Sequence, residues 1–281
     1  MSDGSQISDD GKIITIDGID TYYQDVGEGE PVLFIHGSGP GVSAWANWRL
    51  NLGPISQKSR CIAPDMVGFG KTVAPENYEY SMTNWVKHLY GLTQELGLGQ
   101  TTIVGNSFGG GLAIAFAIAH PELVSRIVLM GAVGVEFELT YGLNEVWGYE
   151  PSVENMKELL DIFSHDKTLV NDDLASLRYS ASVAPGIHES YSAMFPAPRQ
   201  EWIHAMASET SDISKIKVPV LIVHGKNDRV IPIGNSHKFF ELLPNAELHL
   251  FSNCGHWTQI EKRDRFNALV LDFIAGGSNT S

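Results

Sequence analysis

Ser107 stands in the pattern Gly-x-Ser-x-Gly, with the sequence Gly-Asn-Ser-Phe-Gly at 105–109. An apolar run precedes the pattern and an Ala-rich helical stretch follows it, which is the strand, turn and helix context of a nucleophile elbow. Gly105 and Gly109 leave space where a β-carbon would collide in so tight a turn. The helix that follows favours negative charge at its start. The pattern therefore predicts Ser107 as a nucleophile, the alternative being glycines that only make a turn.

A serine hydroxyl becomes a good nucleophile when a base accepts its proton and a third group orients that base. Asp228 follows the apolar run at 220–223, and His256 follows the last such run at 247–251. Open α/β sheets place their sites just beyond the carboxyl ends of strands. The order serine, acid, histidine along the chain is also the order this kind of elbow requires. Asp228 is therefore predicted as the orienting acid and His256 as the base.

Other histidines and acids compete for these two roles, since the chain has 10 histidines. Most of them fall in helical stretches, and His224 and His249 lie within strand patterns. His36 follows a strand, but its place before a glycine-rich loop favours a bracing role. Glu136 and Glu138 remain alternatives for the acid, because they also follow a predicted strand.

The glycine-rich loop at 37–41 has a predicted role of its own. Acyl transfer needs N–H donors for an oxyanion, and the fold supplies one from the residue after the nucleophile and one from such a loop. The N–H groups of Phe108 and Ser38 are predicted as these donors. The loop has neither the Gly-x-x-x-x-Gly-Lys-Ser/Thr nor the Gly-x-Gly-x-x-Gly spacing, which argues against nucleotide binding.

Alternating apolar and helical segments must position these residues. A hairpin is predicted at 12–25, and short apolar runs that indicate buried strands alternate with helical stretches, a pattern that predicts a doubly wound sheet. The runs lie at 32–36, 60–63, 102–104, 126–130, 220–223 and 247–251, and the helical stretches at 80–96, 110–119, 233–243 and 264–275.

The interval between the runs at 126–130 and 220–223 has helical but no strand-like periodicity. So long an interval is not expected to be a plain loop. Residues 136–205 are therefore predicted as an inserted helical lid, between core segments at 1–135 and 206–281. The fold class predicted is an α/β-hydrolase fold, a mostly parallel eight-stranded sheet flanked by helices.

Composition excludes several classes of protein. Apolar residues make up 43% and charged residues 19% of the 281, as in a globular chain, and the formal net charge of −14 disfavours nucleic acid and membrane surfaces as partners. No signal peptide or spanning segment is visible, so the cytoplasm is expected. Cys61 and Cys254 are too few for a disulfide framework or a zinc cluster and are interpreted as packing residues. Both ends, at 1–10 and 276–281, are expected to be mobile.

Three segments together resemble the meta-cleavage product hydrolases, a family of α/β-hydrolases that cleave carbon–carbon bonds in aromatic degradation. They lie at 36–41, 105–111 and 254–257, and the resemblance covers nearly the whole chain. Short motifs at 146–149, 177–179 and 194–196 resemble in particular those of the 2-hydroxymuconic semialdehyde hydrolases and the alkylbenzene-pathway members. The resemblance implies a small-molecule 2-hydroxy-6-oxohexa-2,4-dienoate substrate, no metal or organic cofactor, and a homo-oligomer.

The resemblance also implies roles for residues outside the triad. Arg178 matches the lid arginine of the family and would bind the substrate carboxylate, a role suited to its planar donor fork; its alternative is a surface helix position. Residues expected to surround the dienoate are Gly37, Gly39, Asn47, Asn106, Trp147 and Trp257. Bulky lid side chains are expected to narrow the pocket and favour hydrogen or short alkyl at C6: Phe137, Leu139, Trp147, Phe163 and Phe195. A general carboxylesterase and a non-catalytic receptor on the same fold remain alternatives.

Overall fold

The sheet begins with an antiparallel hairpin, formed by β1 (Lys12–Ile16) and β2 (Ile19–Val26). Its two turn residues, Asp17 and Gly18, have φ of 50° and 83°. A turn with positive φ at both central positions matches the right-handed twist of the flanking strands, and aspartate and glycine tolerate that conformation. The hairpin predicted at 12–25 is confirmed.

The computed structural model describes residues 8–276, and the strands within this range form one eight-stranded sheet. The strand order is β1-β2-β4-β3-β5-β6-β7-β8, in which β2 runs antiparallel to its neighbours and all pairs from β4 to β8 are parallel. The remaining strands are β3 (Pro31–Ile35), β4 (Arg60–Pro64), β5 (Thr101–Asn106), β6 (Val124–Met130), β7 (Val220–Gly225) and β8 (Ala246–Phe251).

Helices cover both faces of the sheet. On β3, Val32 and Phe34 contribute to one hydrophobic cluster, and Leu33 and Ile35 contribute to the other. All four side chains have 0% exposure, as expected when alternate residues of a strand meet a helix layer on each side. A continuous apolar run of this kind is why the sequence predicted a parallel strand.

The helices, in chain order, are α1 (Ala44–Trp48), α2 (Leu52–Ser56), α3 (Met82–Glu95), α4 (Phe108–Ala119), α5 (Tyr141–Trp147), α6 (Val153–Phe163), α7 (Asp172–Ser182), α8 (Ile187–Met194), α9 (Gln200–Met206), α10 (Thr210–Ile213), α11 (Ile233–Leu242), α12 (Thr258–Glu261) and α13 (Arg263–Gly276). Seven of those described, α1 to α4 and α11 to α13, belong to the core, and the others lie between β6 and β7. Short 3₁₀ helices occupy Pro121–Leu123 and Lys167–Leu169.

The interval predicted as a lid contains helices and no strand in the described part of the chain. Helices α5 to α9 follow one another there, and α6 packs on α7 and α5. Three of these helices begin with a side-chain N-cap, in which Thr140, Ser152 and Asn171 each accept a hydrogen bond from a backbone N–H of the first turn. Local capping signals therefore set the helix starts in this segment.

The predicted fold class is confirmed, and the strands and long helices lie within a few residues of their predicted bounds. The short helices α1, α2 and α12 were not predicted, because four or five residues are too few to show a helical period. Within residues 8–276 no helix is both long enough and apolar enough to cross a membrane. The expectation of mobile ends falls largely on 1–7 and 277–281, which lie outside the described residues.

Candidate active site

Ser107 occupies a sharp turn between β5 and α4. Its backbone has φ 54° and ψ −113°, a conformation that residues other than glycine rarely adopt. A β-carbon at Gly105 would collide with the carbonyl of Gly109, and one at Gly109 would collide with the carbonyl of Ile35. The turn is held by the Ser107 N–H, which donates to the Met130 carbonyl on β6 at 2.8 Å. The geometry is that of the elbow predicted from the sequence.

Asp228 and His256 meet at the carboxyl edge of the sheet. His256 Nδ1 lies 2.7 Å from Asp228 Oδ2, and the other carboxylate oxygen accepts the N–H groups of Val230 at 2.7 Å and Ile231 at 2.9 Å. Both side chains are almost fully buried, at 4% and 1% exposure. With Nδ1 held by the acid, Nε2 is the nitrogen of His256 that can accept a proton.

Burial raises the pKa of Asp228, but the charge of His256 and hydrogen bonds from His224 and His256 lower it, and the net pKa lies well below the ordinary value of 3.8. Asp228 is therefore ionised at neutral pH. An ionised carboxylate keeps the proton on Nδ1 and stabilises an imidazolium when Nε2 takes up a second proton.

The insertion helps to hold the loop that carries His256. The carbonyl of Phe163, at the end of α6, accepts the N–H groups of His256 at 2.8 Å and Trp257 at 3.3 Å. The Phe163 ring stacks on Trp257 with centroids 5.0 Å apart. Glu261 ties the same segments together, since it accepts the N–H groups of Gly255 at 2.7 Å and His165 at 3.0 Å. The position of the histidine thus depends on a contact between core and insertion.

Ser107 and His256 line one cavity of about 110 Å³. No hydrogen bond joins their side chains within residues 8–276, which is common for catalytic pairs before substrate binds. Of the residues predicted around the substrate, Gly37, Ser38, Gly39, Asn47, Asn106, Arg178 and Trp257 also line this cavity. The structure therefore brings together most of the predicted site.

Of the two predicted oxyanion donors, Phe108 follows Ser107 in the chain and Ser38 lines the same cavity. The Phe108 N–H is the first of α4, and its ring points into the core, where it packs against Trp85 with centroids 4.8 Å apart. In the described range the N–H groups of Phe108 and Ser38 donate to no other protein group. Gly37 approaches closely, because a β-carbon there would lie 3.4 Å from the Ser107 Cβ. The role of the two amides as oxyanion donors stays a prediction.

Two asparagines form a polar wall of the cavity. Asn47 Oδ1 accepts from Asn106 Nδ2 at 2.9 Å and from the Gly37 N–H at 3.3 Å. Their remaining amide atoms, Asn47 Nδ2 and Asn106 Oδ1, are buried without a hydrogen-bond partner among residues 8–276. Buried polar groups left in this way are characteristic of binding sites, since an unpaired buried group is costly.

Two arginines line the same cavity. Arg178 on α7 donates to the Pro40 carbonyl at 3.1 Å, and Arg49 after α1 donates to the Ala46 carbonyl at 2.6 Å. Neither guanidinium pairs with a carboxylate in the part of the chain described here. Burial and then the positive charge of Arg49 lower the pKa of Arg178 to about 10, so it stays charged at neutral pH. Two unpaired cations create a site suited to an anionic ligand.

Trp147 is not in the position predicted for it. Its side chain is 3% exposed, stacks on Phe195 with centroids 4.7 Å apart, and donates to Ser38 Oγ at 3.1 Å. It therefore lies behind Ser38 and outside the cavity lining. Of the bulky side chains expected to narrow the pocket, only Phe163 lines it, while Phe137, Leu139 and Phe195 pack in the core. The apolar lining comes instead from Leu143, Val146, Leu169, Leu174, Val230 and Ile260.

The competing acids and histidines lie elsewhere. Glu136 is half exposed and pairs with His204 at 2.6 Å, and Glu138 is exposed. His36 braces its loop as predicted, because its Nε2 accepts the Met66 N–H at 3.0 Å and its Nδ1 bonds the Gly37 carbonyl at 2.7 Å.

Cys61 and Cys254 are buried, and burial raises the pKa of each thiol to about 12. Both therefore stay protonated, in agreement with their interpretation as packing residues. No cluster of three or more potential metal ligands occurs within residues 8–276.

His224 and Arg49 were missed as site residues. His224 Nε2 lies 3.1 Å from Asp228 Oδ2, although the sequence shows only a histidine in a buried strand. The spacing of four residues between the two was the one available signal. Arg49 had no signal, since its helix is too short for its exposed face to be assigned.

Comparison with known proteins gives the class first. The α/β hydrolase fold family matches residues 30–263. A 2-hydroxy-6-oxo-2,4-heptadienoate hydrolase of Pseudomonas putida is 53% identical over 94% of this chain and 96% of its own, and a 2-hydroxymuconate semialdehyde hydrolase of Pseudomonas sp. strain CF600 is 51% identical over 94% of each.

The solved structure of a meta-cleavage product hydrolase from Pseudomonas fluorescens IP01 superposes with a TM-score of 0.95 and 56% identity, covering 96% of this chain and 99% of that one. The chain belongs to the meta-cleavage product hydrolases of the α/β-hydrolase family. It is therefore an enzyme of the serine hydrolase type.

Proposed function

We propose that the chain hydrolyses the C5–C6 bond of 2-hydroxy-6-oxohexa-2,4-dienoates to 2-hydroxypenta-2,4-dienoate and a carboxylic acid. The observation that carries the proposal is the cavity in which Ser107 and His256 face the two unpaired arginines, Arg178 and Arg49. A nucleophile and base beside an anion site fit a substrate with a ketone at one end and a carboxylate at the other. The relatives named above act on dienoates of this class.

The first step is ketonisation of the dienol. The 2-hydroxyl loses its proton and C5 gains one, so that C5 becomes a methylene between two carbonyl systems. His256 is the base in the cavity, because Asp228 holds Nδ1 and leaves Nε2 free. Arg178 and Arg49 bind the C1 carboxylate and stabilise the negative charge that develops on the C2 oxygen.

The second step is addition of Ser107 to the C6 ketone. His256 Nε2 takes the hydroxyl proton as Oγ bonds to C6, and the carbonyl oxygen becomes an oxyanion. The N–H groups of Ser38 and Phe108 stabilise that charge, and one such donor typically contributes ~10²–10³ in turnover. The start of α4 adds the favourable end of a helix dipole.

Collapse of the oxyanion breaks the C5–C6 bond. The electron pair moves from C5 through the C3–C4 double bond to the C2 oxygen, which gives the dienolate, and protonation yields 2-hydroxypenta-2,4-dienoate. Water, deprotonated by His256, then attacks the acyl-serine and releases the carboxylic acid. One water is consumed and no electrons are exchanged, so the residues named are sufficient for the overall reaction.

The lining of the cavity and the names of the relatives support a small substituent at C6. Leu143 and Val146 of α5 and Val230 beside Asp228 belong to the apolar part of the cavity wall. The names of the two relatives correspond to methyl and hydrogen at C6. We therefore propose hydrogen or short alkyl as the preferred group.

The helical insertion at 136–205 is proposed as a lid on the core segments at 1–135 and 206–281. It supplies Leu143, Val146, Phe163 and Arg178 to the cavity, which supports this division. The homo-oligomer that the family resemblance implies and the cytoplasmic location expected from the sequence stay predictions.

The test uses the ring-fission products of catechol, 3-methylcatechol and 2,3-dihydroxybiphenyl, whose yellow dienolate absorbance disappears on cleavage. We expect rapid bleaching of the first two and slow bleaching of the third. Ser107→Ala should lose at least ~10⁴-fold in turnover while still binding the dienoate, since removal of a triad nucleophile has effects of this size.

Chromatographic detection of 2-hydroxypenta-2,4-dienoate distinguishes cleavage from ketonisation alone, which also bleaches the colour. If the chain hydrolysed a nitrophenyl ester but none of the three dienoates, a general carboxylesterase would replace the proposal. If it bound the dienoates and turned over neither class, the chain would be a receptor on this fold.

A further inference from the structure

His224 places a second imidazole on the carboxylate of Asp228. It is the fifth residue of β7 and has 0% exposure. Its Nε2 lies 3.1 Å from Asp228 Oδ2 and 3.1 Å from the Ile231 carbonyl oxygen. Its Nδ1 lies 2.6 Å from the hydroxyl oxygen of Ser236, which is 1% exposed. Oδ2 of Asp228 is therefore shared between His224 and His256.

The hydrogen-bond partners of His224 determine which of its ring nitrogens carries a proton. Nε2 faces two oxygens that can only accept, a carboxylate and a carbonyl, so Nε2 must carry a proton. Nδ1 faces Ser236, whose hydroxyl can donate. A neutral imidazole with its proton on Nε2 satisfies every group without placing a second positive charge in the interior. In this state the single Nε2–H of His224 lies between the Ile231 carbonyl, to which it donates, and Asp228 Oδ2, and Nδ1 accepts from Ser236.

Four N–H groups thus surround the Asp228 carboxylate, two at each oxygen. The N–H groups of Val230 and Ile231 hold Oδ1, and the two histidines hold Oδ2. A carboxylate with donors on both oxygens cannot rotate without losing one of them. Each donor also withdraws charge from the carboxylate, which limits how strongly it stabilises a protonated His256.

We propose that His224 is a positioning residue of the triad, which orients the Asp228 carboxylate toward His256 and adjusts the basicity of the His256 imidazole. The proposal rests on the proposed roles of Asp228 and His256 as orienting acid and base. His224 does not line the cavity, so it acts on turnover through Asp228 and not through substrate binding.

Other charged groups near this pair are accounted for by their own partners. Arg229, next to Asp228, pairs with Asp161 of α6 at 2.7 Å. Glu261 of α12 accepts backbone N–H groups from the loop that carries His256. Cys254 is protonated, and Gly131 of the segment after β6 brings only backbone against the His256 ring. Lys262 is the C-cap residue of α12 and makes no ion pair with Asp228 within residues 8–276. His224 is therefore the titratable side chain that contacts the acid besides His256 itself.

Four variants separate the hydrogen bond from packing. His224→Phe with Ser236→Ala removes both partners of the pair and leaves no unpaired hydroxyl, and Ser236→Ala alone is its control. His224→Gln retains an N–H donor of similar reach. His249→Gln removes a histidine from the neighbouring strand, where His249 pairs with Val223 and does not contact the triad.

For the double variant we expect kcat to fall by roughly 10- to 100-fold, the range for groups that orient a functional ligand. KM should not change. The acidic limb of kcat/KM, which reports deprotonation of His256, should move to higher pH by about half to one unit, because a carboxylate with one donor fewer stabilises the imidazolium more. His224→Gln should lie between the double variant and the wild type, and His249→Gln should match the wild type.

The pH profiles are measured with a dienoate and with a nitrophenyl ester, and the NMR signal of the His256 Nδ1 proton is titrated in parallel. A folded double variant whose acidic limb coincides with that of the wild type would overturn the proposal, as would a His224→Gln variant no more active than the double variant. Failure of the dienoate reaction in the wild type is a separate result, because the ester and NMR measurements still report on Asp228 and His256.

Discussion

Arg178 and Arg49 bring two positive charges to one cavity of a chain whose formal net charge is −14. Some arginines elsewhere on the surface have acidic partners, as Arg263 has Asp264 at 2.8 Å. The absence of such partners for the two cavity arginines within residues 8–276 leaves their fork-shaped donors available. We therefore propose that their charge favours a carboxylate substrate over a neutral ester.

We expect Arg178→Ala to raise KM for the dienoate by roughly 10- to 100-fold, since hydrogen bonds to charged groups contribute about 1.5–3 kcal/mol. Arg49→Ala should act in the same direction with a smaller effect, because Arg49 is more exposed. Steady-state kinetics with a dienoate and with a neutral ester make the comparison, and Arg263→Ala is the control. Equal losses on both substrates would argue against a carboxylate contact.

Helix α5 connects the apolar wall of the cavity to the loop that carries Asp228. Its N-cap, Thr140, accepts from the Leu143 N–H at 3.0 Å and donates its hydroxyl to the Val230 carbonyl at 2.6 Å. Leu143 and Val146 lie one turn apart and both line the cavity. One short helix thus forms part of the cavity wall near His256, and its N-cap residue is hydrogen-bonded to the loop that carries Asp228.

Leu143→Ala and Val146→Ala should therefore raise kcat/KM for the phenyl dienoate relative to the methyl dienoate, by roughly 10-fold, because a deleted group in a hydrophobic pocket is typically equivalent to about 1–3 kcal/mol. Leu159→Ala, in the core face of α6, is the matched control, since it removes the same atoms as Leu143→Ala without lining this cavity. An unchanged ratio in both variants, with the control also unchanged, would mean that α5 does not limit substituent size.

Two buried histidines should lower the stability of the chain as the pH drops below neutrality, an effect partly offset by Asp65, whose pKa burial raises to about 6. Burial lowers the pKa of His36 and of His88 to about 4 in the folded protein, from an ordinary value of 6.5. Between those values the unfolded chain binds more protons than the folded one. The stabilisation is complete above pH 6.5 and is lost as the pH falls toward 4, with a slope of at most about 1.4 kcal/mol per pH unit for each histidine.

Thermal unfolding between pH 7.5 and pH 4.5 measures this effect. His88→Gln should flatten the pH dependence of Tm, since it removes one of the two groups, while His237→Gln, on the exposed side of α11, should not. His88 is the better site for substitution because its partner, Thr21 at 2.8 Å, lies on β2 and away from the cavity. Identical slopes in the wild type and His88→Gln would contradict the assignment.

The amino-acid sequence by itself determined the elements and the order in which they follow one another. Apolar runs such as Val32 to Ile35 have to be buried on both faces, and helical periods and caps define most of the helices, because these signals depend on neighbours along the chain. The elbow at Ser107 was equally local, since Gly105 and Gly109 are required by the turn itself. Asp228 and His256 could be predicted because the ends of parallel strands meet at one edge.

Only the tertiary structure decided which way side chains point and which distant groups they meet. Trp147 was expected at the substrate and packs behind Ser38, while Leu143 and Val146 of the same helix line the cavity. His224 contacts Asp228, and Arg49 reaches the cavity that Arg178 enters from another helix. Such contacts depend on how helices pack against the sheet, and the pattern of a single segment carries no information about the orientation of its neighbours.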